Sequence, residues 1–307
     1  MNKKRKRILI FTASILCLVI LFFFVKLLFD SPYKSKLPDL PDLSTGSIFL
    51  KEQISDADRK AHGKPSADNL GDLGMVYHSN SYYDNAAQCY SLAIKKDFSR
   101  WIWSYYLGYL YMEMGDSESG IENFRSVIKE IPEAYHAWYH VGEGYQNLGE
   151  WYKAEVAFNK IANLMEVRSM EKSATRYDYF PLRVYAMYQL SRIYMNTNRN
   201  ELAEKTLIEI LKFHRSFGPA YRLLGNLYTA KGDSLSGSYY IVRANDLSNY
   251  AAPVDTLVDK LANISRTELY LLKQIDEAER SIYPEWALEL AKLTLFGGDK
   301  QYTVCRS

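Results

Sequence analysis

Between residues 67 and 251 one short pattern of hydrophobic and small positions recurs at a fixed distance. A leucine or valine precedes a small residue, and tyrosine follows three positions later. The sets are Leu73-Gly74 with Tyr77, Leu107-Gly108 with Tyr111, Val141-Gly142 with Tyr145, Leu190-Ser191 with Tyr194, and Leu224-Gly225 with Tyr228. The tyrosines lie 34 residues apart except between Tyr145 and Tyr194, where the gap is 49 and so holds 15 extra residues. Nine residues beyond each tyrosine stands another small residue (Ala86, Gly120, Ala154, Ala203, Gly237). Four further on comes a large one (Tyr90, Phe124, Phe158, Leu207, Ile241). Steps of three and four place these positions on one face of a helix. Gly115-Asp116, Gly149-Glu150, Asn198-Arg199 and Gly232-Asp233 stand between the halves and read as a helix stop followed by an N-cap. The prediction is a set of antiparallel helix pairs that cross closely where neither helix carries a bulky side chain, with the large residue filling the space beside the crossing. No single pair can bury its apolar face alone, but stacked neighbours can. The units are 67–100, 101–134, 135–168, 184–217 and 218–251, with an insert at 169–183.

This register resembles the tetratricopeptide repeat (TPR), whose pattern runs aromatic, L-G-x-x-Y, then A, F, A and P. The departures fall at the repeat ends, where Pro132 supplies the proline while Phe98, Glu166, Arg215 and Asn249 stand at the other equivalents. The resemblance implies an all-α fold, a right-handed superhelix of helix-turn-helix repeats that binds a protein or peptide without a cofactor. It also implies that the first helix of each repeat lines a concave face. The positions so indicated are Tyr105, Tyr109 and Glu113, then His136, Tyr139, Glu143 and Asn147. In the last two repeats they are Tyr185, Tyr188, Arg192 and Asn196, then Arg222 and Asn226. Rigid aromatic area with Asn, Arg and Glu is a binding-surface composition. Tyr105, Tyr139 and Tyr188 share one position and are expected to form a ladder along the groove. The five-residue clamp of chaperone-binding TPR proteins is missing, since Gly71, Met75, Tyr106, His136 and His140 stand at its places; Arg222 with Asn226 reproduces a single pair of it.

The flanks carry other signals. Residues 8–29 are apolar from Ile8 to Val25, interrupted by Lys26 and extended by Leu27–Phe29, about the length needed to cross a bilayer. No small-x-small cleavage site follows, so the segment reads as an uncleaved anchor rather than a signal peptide. Residues 1–7 hold Lys3, Lys4, Arg5, Lys6 and Arg7 and are expected on the cytoplasmic side, leaving the body outside. In a bacterium this is a single-pass inner-membrane protein with a periplasmic body. Residues 30–46, with Pro32, Pro38 and Pro41, read as an extended, non-helical tether. Residues 47–66 read as a capping element, with Ser47 as N-cap and Ile48, Ile54 and Ala61 as its apolar stripe. Residues 252–307 read as further helices of a degenerate or incomplete repeat. Ser265-x-x-Glu268 forms a capping box for a helix to about Arg280, and a second helix opens at Pro284 and stops at Gly297-Gly298-Asp299.

Composition narrows the function further. Twenty-six Tyr against 13 Phe suits surfaces that are apolar on one side and wet on the other. The net charge is +2, and five positive charges lie in the first seven residues, so the remainder stands at −3. A mildly acidic body argues against nucleic acid as a partner. Cys17, Cys89 and Cys305 show no metal or redox spacing and read as unpaired thiols. His136, His140 and Glu143 share a helix face at i, i+4, i+7, a metal-compatible spacing that reads more simply as a polar groove wall. In the insert, Arg176, Tyr177, Tyr179 and Phe180 suit either a binding loop or a helix extension packed on its neighbour. No nucleophile–base pair or phosphate loop appears, which argues against an enzyme. The sequence therefore reads as an anchored scaffold that recruits a protein or peptide, in envelope assembly, secretion or cytochrome maturation. The other reading is a non-catalytic interaction subunit of an enzyme system for electron transfer or polysaccharide export.

Overall fold

The computed structural model describes residues 15–16, 18–21, 30, 32–163, 180–247 and 252–266. Among them the regular structure is entirely helical. The helices are α1 (Ile48–Gly63), α2 (Ala67–Ser79), α3 (Tyr83–Lys96), α4 (Trp101–Glu113), α5 (Ser117–Glu130), α6 (Tyr135–Asn147), α7 (Trp151–Ala162), α8 (Leu182–Asn196), α9 (Asn200–Phe213), α10 (Gly218–Ala230), α11 (Ser234–Asn245) and α12 (Thr256–Asn263). The chain divides into two compact units, Met1–Trp103 with Leu261–Ser307, and Ser104–Lys260.

In the first unit Ser47 Oγ accepts from the Leu50 amide and starts α1. Leu50, Ile54 and Ala61 are buried and Ile48 is 51% exposed, so the apolar stripe begins at Leu50 rather than at Ile48. Residues 30–46 do not stand clear as a tether. Asp30 and residues 32–34 are helical, and the segment that follows lies against α3. The Tyr33 hydroxyl donates to Lys95 O, Gln88 Nε2 donates to Lys36 O, and Asn85 Nδ2 donates to Asp39 O. Lys96 pairs with Asp30 at 2.8 Å and lies over the Tyr33 ring. The Ser265 hydroxyl donates to Asn80 Oδ1, which also accepts from the Arg266 amide. Glu268 and the later C-terminal helix signals lie outside the described residues, as do Cys17 and Cys305. Cys89 is fully buried, and burial pushes its thiol pKa well above the ordinary value.

In the second unit the small and large positions meet as steric reasoning requires. A Cβ on Gly142 would lie 2.6 Å from the Phe158 ring, and one on Gly225 would lie 2.6 Å from Ile241. The same fit holds in the first unit, where a Cβ on Gly74 would lie 2.7 Å from Tyr90.

Each helix pair closes through the same turn. The amides of Tyr82, Asp116, Glu150, Arg199 and Asp233 donate to the carbonyls of Tyr77, Tyr111, Tyr145, Tyr194 and Tyr228. The preceding residue is left-handed in all five: Ser81 (φ 67°), Gly115 (φ 82°), Gly149 (φ 73°), Asn198 (φ 58°) and Gly232 (φ 84°). This is the six-to-one bond of a helix C-terminus, and it favours glycine because a Cβ is strained there. Ser81 is neither glycine nor asparagine and carries that strain. Replacing Ser81 with glycine should stabilise the protein by about 0.5–1 kcal/mol, visible as a higher urea midpoint at an unchanged slope.

The described end of the insert belongs to the core. Phe180 packs edge-on against Phe217 at 4.9 Å, and Arg183 Nε donates to Ala162 O. Phe180 is partly buried there, and Arg176, Tyr177 and Tyr179 lie outside the described residues. Among the described residues no helix is long and apolar enough to cross a membrane, and most of residues 8–29 lie outside them.

Candidate functional site

In the second unit the first helix of each pair, α4, α6, α8 and α10, supplies one face. At its middle lies an open polar cavity of about 350 Å3, lined in part by Glu143, Asn147, Gln189, Arg192 and Asn196. Four of these five are positions expected at a partner site. Gln189 was not among them, because its place in the repeat gives no sign of its role. It is buried, donates to the Tyr139 hydroxyl at 3.1 Å, and accepts from Arg192 Nη1 at 2.8 Å. Arg192 is exposed, and a guanidinium held at Nη1 in this way is suited to a carboxylate or carbonyl. Asn147 Nδ2 donates to Ser117 Oγ, and Arg222 and Asn226 are exposed on α10. Arg192 and Arg222 both act electrostatically on the half-buried Tyr188, whose pKa burial raises and the two cations oppose.

The expected tyrosine ladder is corrected here. Tyr105 is 2% exposed, Tyr139 1% and Tyr185 4%, so of the aromatic positions only Tyr188 and Tyr109 keep part of their surface open. Tyr185 and Tyr188 are pinned edge-on against Phe217, and Tyr139 against Phe158. Phe158 and Phe217 belong to the same repeats as the tyrosines they pack against, and there the tyrosine ring is worth more buried than wet.

At the other end, residues 252–258 cover Tyr105. The Tyr105 hydroxyl donates to Asp255 Oδ2, and His140 Nε2 donates to the same oxygen at 3.2 Å. His140 Nδ1 donates to Glu143 Oε2 at 3.1 Å. Acceptors on both sides require both ring nitrogens to be protonated, so His140 is an imidazolium. Burial alone lowers its pKa; bonds to Asp255 and Glu143 outweigh this and push it up to about 9. Asp255 is drawn down to about 2 by His140 and Tyr105 against the opposing effect of burial. The Phe124 ring stacks on His140 at 4.9 Å, a cation–π contact. His136 Nε2 donates to Val254 O at 2.9 Å, and the Tyr106 hydroxyl donates to Leu257 O at 3.2 Å. With both His140 nitrogens committed to carboxylates, the His136/His140/Glu143 set does not present itself to a metal. Asp255 escaped sequence reasoning, although an Asp ahead of Thr256 carries an N-cap signal: its Oδ1 accepts from the Leu257 amide.

Two family models for the tetratricopeptide repeat match, one at residues 104–134 and the other at residues 184–213. The chain carries tetratricopeptide repeats. Their two matched stretches fall on α4–α5 and α8–α9, the helix pairs that supply Tyr105 and Arg192. The chain is also similar to the Protein CTR9 homolog of Arabidopsis thaliana, 26% identical over 126 residues. That match takes in 39% of this chain but spans 12% of the relative's length. Among solved structures it is similar to MamA, with 19% identity and a TM-score of 0.49 over 61% of this chain and 98% of that one. It is also similar to YrrB, described as a TPR protein with an unusual peptide-binding site. There the identity is 14% and the TM-score 0.47, over 70% of this chain and 98% of that one.

Proposed function

We propose that the face formed by α6, α8 and α10 binds a protein or peptide segment, and that the protein acts by holding this partner rather than by catalysis. The observation that supports the site is the convergence of Glu143, Asn147, Arg192 and Asn196 on one open polar cavity, with Arg222 and Asn226 exposed nearby on the next first helix. Two guanidinium groups beside a half-open tyrosine favour a partner segment that presents carboxylates. Affinity capture with the full chain tests this. Arg192→Glu combined with Arg222→Glu should abolish capture of the partners held by the unaltered protein while the circular dichroism spectrum stays helical. Capture of the same partners by the folded double variant would remove this face from consideration.

The finer reading is that residues 8–29 anchor the protein in a bacterial inner membrane with its body in the periplasm. It is supported by the apolar run beside five basic residues, with Tyr105, Tyr109 and the rest of the face beyond it in sequence. Partner recruitment there would serve envelope assembly, secretion or cytochrome maturation. A reporter active only outside the cytoplasm, fused after Ser307, should be active. Release of the protein from the membrane fraction by carbonate would contradict the anchor without touching the repeats.

A further inference from the structure

Residues 252–258 are not part of any helix pair, yet they meet the face of α4 and α6 in the manner of a bound peptide. Residues 252–255 are without regular structure, and α12 begins only at Thr256. The contacts are those of peptide recognition. One side-chain carboxylate, Asp255, takes Tyr105 and His140, while two backbone carbonyls, Val254 O and Leu257 O, take His136 and Tyr106. Four receptor side chains from two repeats thus read one acidic residue and the backbone on either side of it. The receptor side holds His140 by contacts other than the ligand's: Phe124 and Tyr139 lie against its ring, and Glu143 accepts from its Nδ1.

We propose that Tyr105, Tyr106, His136 and His140 form a carboxylate-reading peptide subsite, that Asp255 is its internal ligand, and that a partner's acidic segment enters by replacing it. This rests on the reading of the first-helix face as a binding surface and extends it from the Arg192 cavity to the α4–α6 end. The internal ligand acts as a gate. Held in the same chain, it has an effective concentration on the order of millimolar, so a free acidic peptide of modest affinity cannot compete. Glu143, Glu113 and Tyr109 also face this end of the groove and, with His140, set its charge. Glu143 and Asp255 already take the two ring nitrogens of His140, so an incoming carboxylate gains Nε2 only as Asp255 leaves it, and the two are mutually exclusive.

The test uses the full chain and a fluorescein-labelled synthetic peptide of residues 252–260, read by fluorescence polarisation. The Asp255→Ala protein should bind the peptide at least tenfold more tightly than the unaltered protein does, and the same peptide carrying Asp255→Asn should not bind. Equal binding of the two peptides, or no binding by a folded Asp255→Ala protein at millimolar peptide, overturns the proposal. Because that variant removes a buried ion-pair partner, hydrogen exchange on the unaltered protein supplies a second measurement. The Leu257 and Val258 amides should exchange by local opening, well ahead of the α4 and α6 amides. Exchange only with global unfolding would make the segment a fixed part of the core and sink the idea. Neither readout depends on the natural partner, so failure here leaves the Arg192 and Arg222 result standing on its own, and the reverse.

Discussion

Gly142→Leu should lower the melting temperature markedly, or split the transition in two. A Cβ built on Gly142 lies 2.6–2.8 Å from three carbons of the Phe158 ring, closer than side-chain carbons approach in folded proteins. Phe158 has no room to retreat, being fully buried with Ala154, Ile161, Tyr185 and Leu190 in the same core cluster. Overpacking of this kind costs about 1–3 kcal/mol, and a rigid ring puts Gly142→Leu near the top of that range. In a stacked array the loss is transmitted to both neighbouring interfaces. For about 200 structured residues, 3 kcal/mol corresponds to a fall of roughly 6–12 °C. The cause is specific enough for a cycle. Phe158→Leu alone should destabilise, yet in the Gly142→Ala background it should cost less than in the parent, because the shorter side chain relieves the contact. Additive effects would show that the two positions do not share the strain.

The second large effect is expected from His140→Leu, which leaves Asp255 and Glu143 without the cation between them. Removing one partner of a buried pair costs about 3–5 kcal/mol. The Glu143 side chain keeps a third of its surface in water, whereas that of Asp255 keeps 9%, so the low end of this range is appropriate. Urea titration of the variant should show a loss near 3 kcal/mol; a loss below half that would mean leucine's packing compensates. The pair also predicts how stability varies with pH. His140 has its pKa raised from an ordinary 6.5 to about 9, so its contribution is complete below pH 6.5 and disappears as pH rises through 9. Asp255 has its pKa lowered from 3.8 to about 2, so its contribution is complete above pH 4 and disappears as pH falls through 2. The unaltered protein should therefore gain most from the pair between about pH 4 and 6.5 and lose that gain progressively toward pH 9. In His140→Leu the alkaline slope should be missing, and a slope of equal size there would assign the pH dependence to other groups.

The periodic part of this protein could be read from its residues. Gly74, Gly142 and Gly225 stand against Tyr90, Phe158 and Ile241 because a helix crossing is a local steric event that recurs at every repeat, and repetition makes a weak signal legible. The turns were legible for the same reason, since a left-handed residue after the last helical turn selects glycine or asparagine. Ser81 is the turn that breaks the preference, and sequence inspection passed over it. What the residues could not disclose is aperiodic. Asp255 finds Tyr105 across 150 positions and His140 across 115, and nothing in the spacing of either partner foretells the meeting. For that reason Tyr105, which its place in the repeat offers to a partner, is 2% exposed, and a histidine with metal-compatible spacing is an imidazolium between two carboxylates. The residues along the tether were misread similarly: prolines set its local backbone, but only α3 supplies the Gln88 and Asn85 amides that dock it. Local sterics and backbone preference repeat with the sequence and are written in it; a carboxylate's choice of distant partner is settled by the burial and geometry of the folded chain.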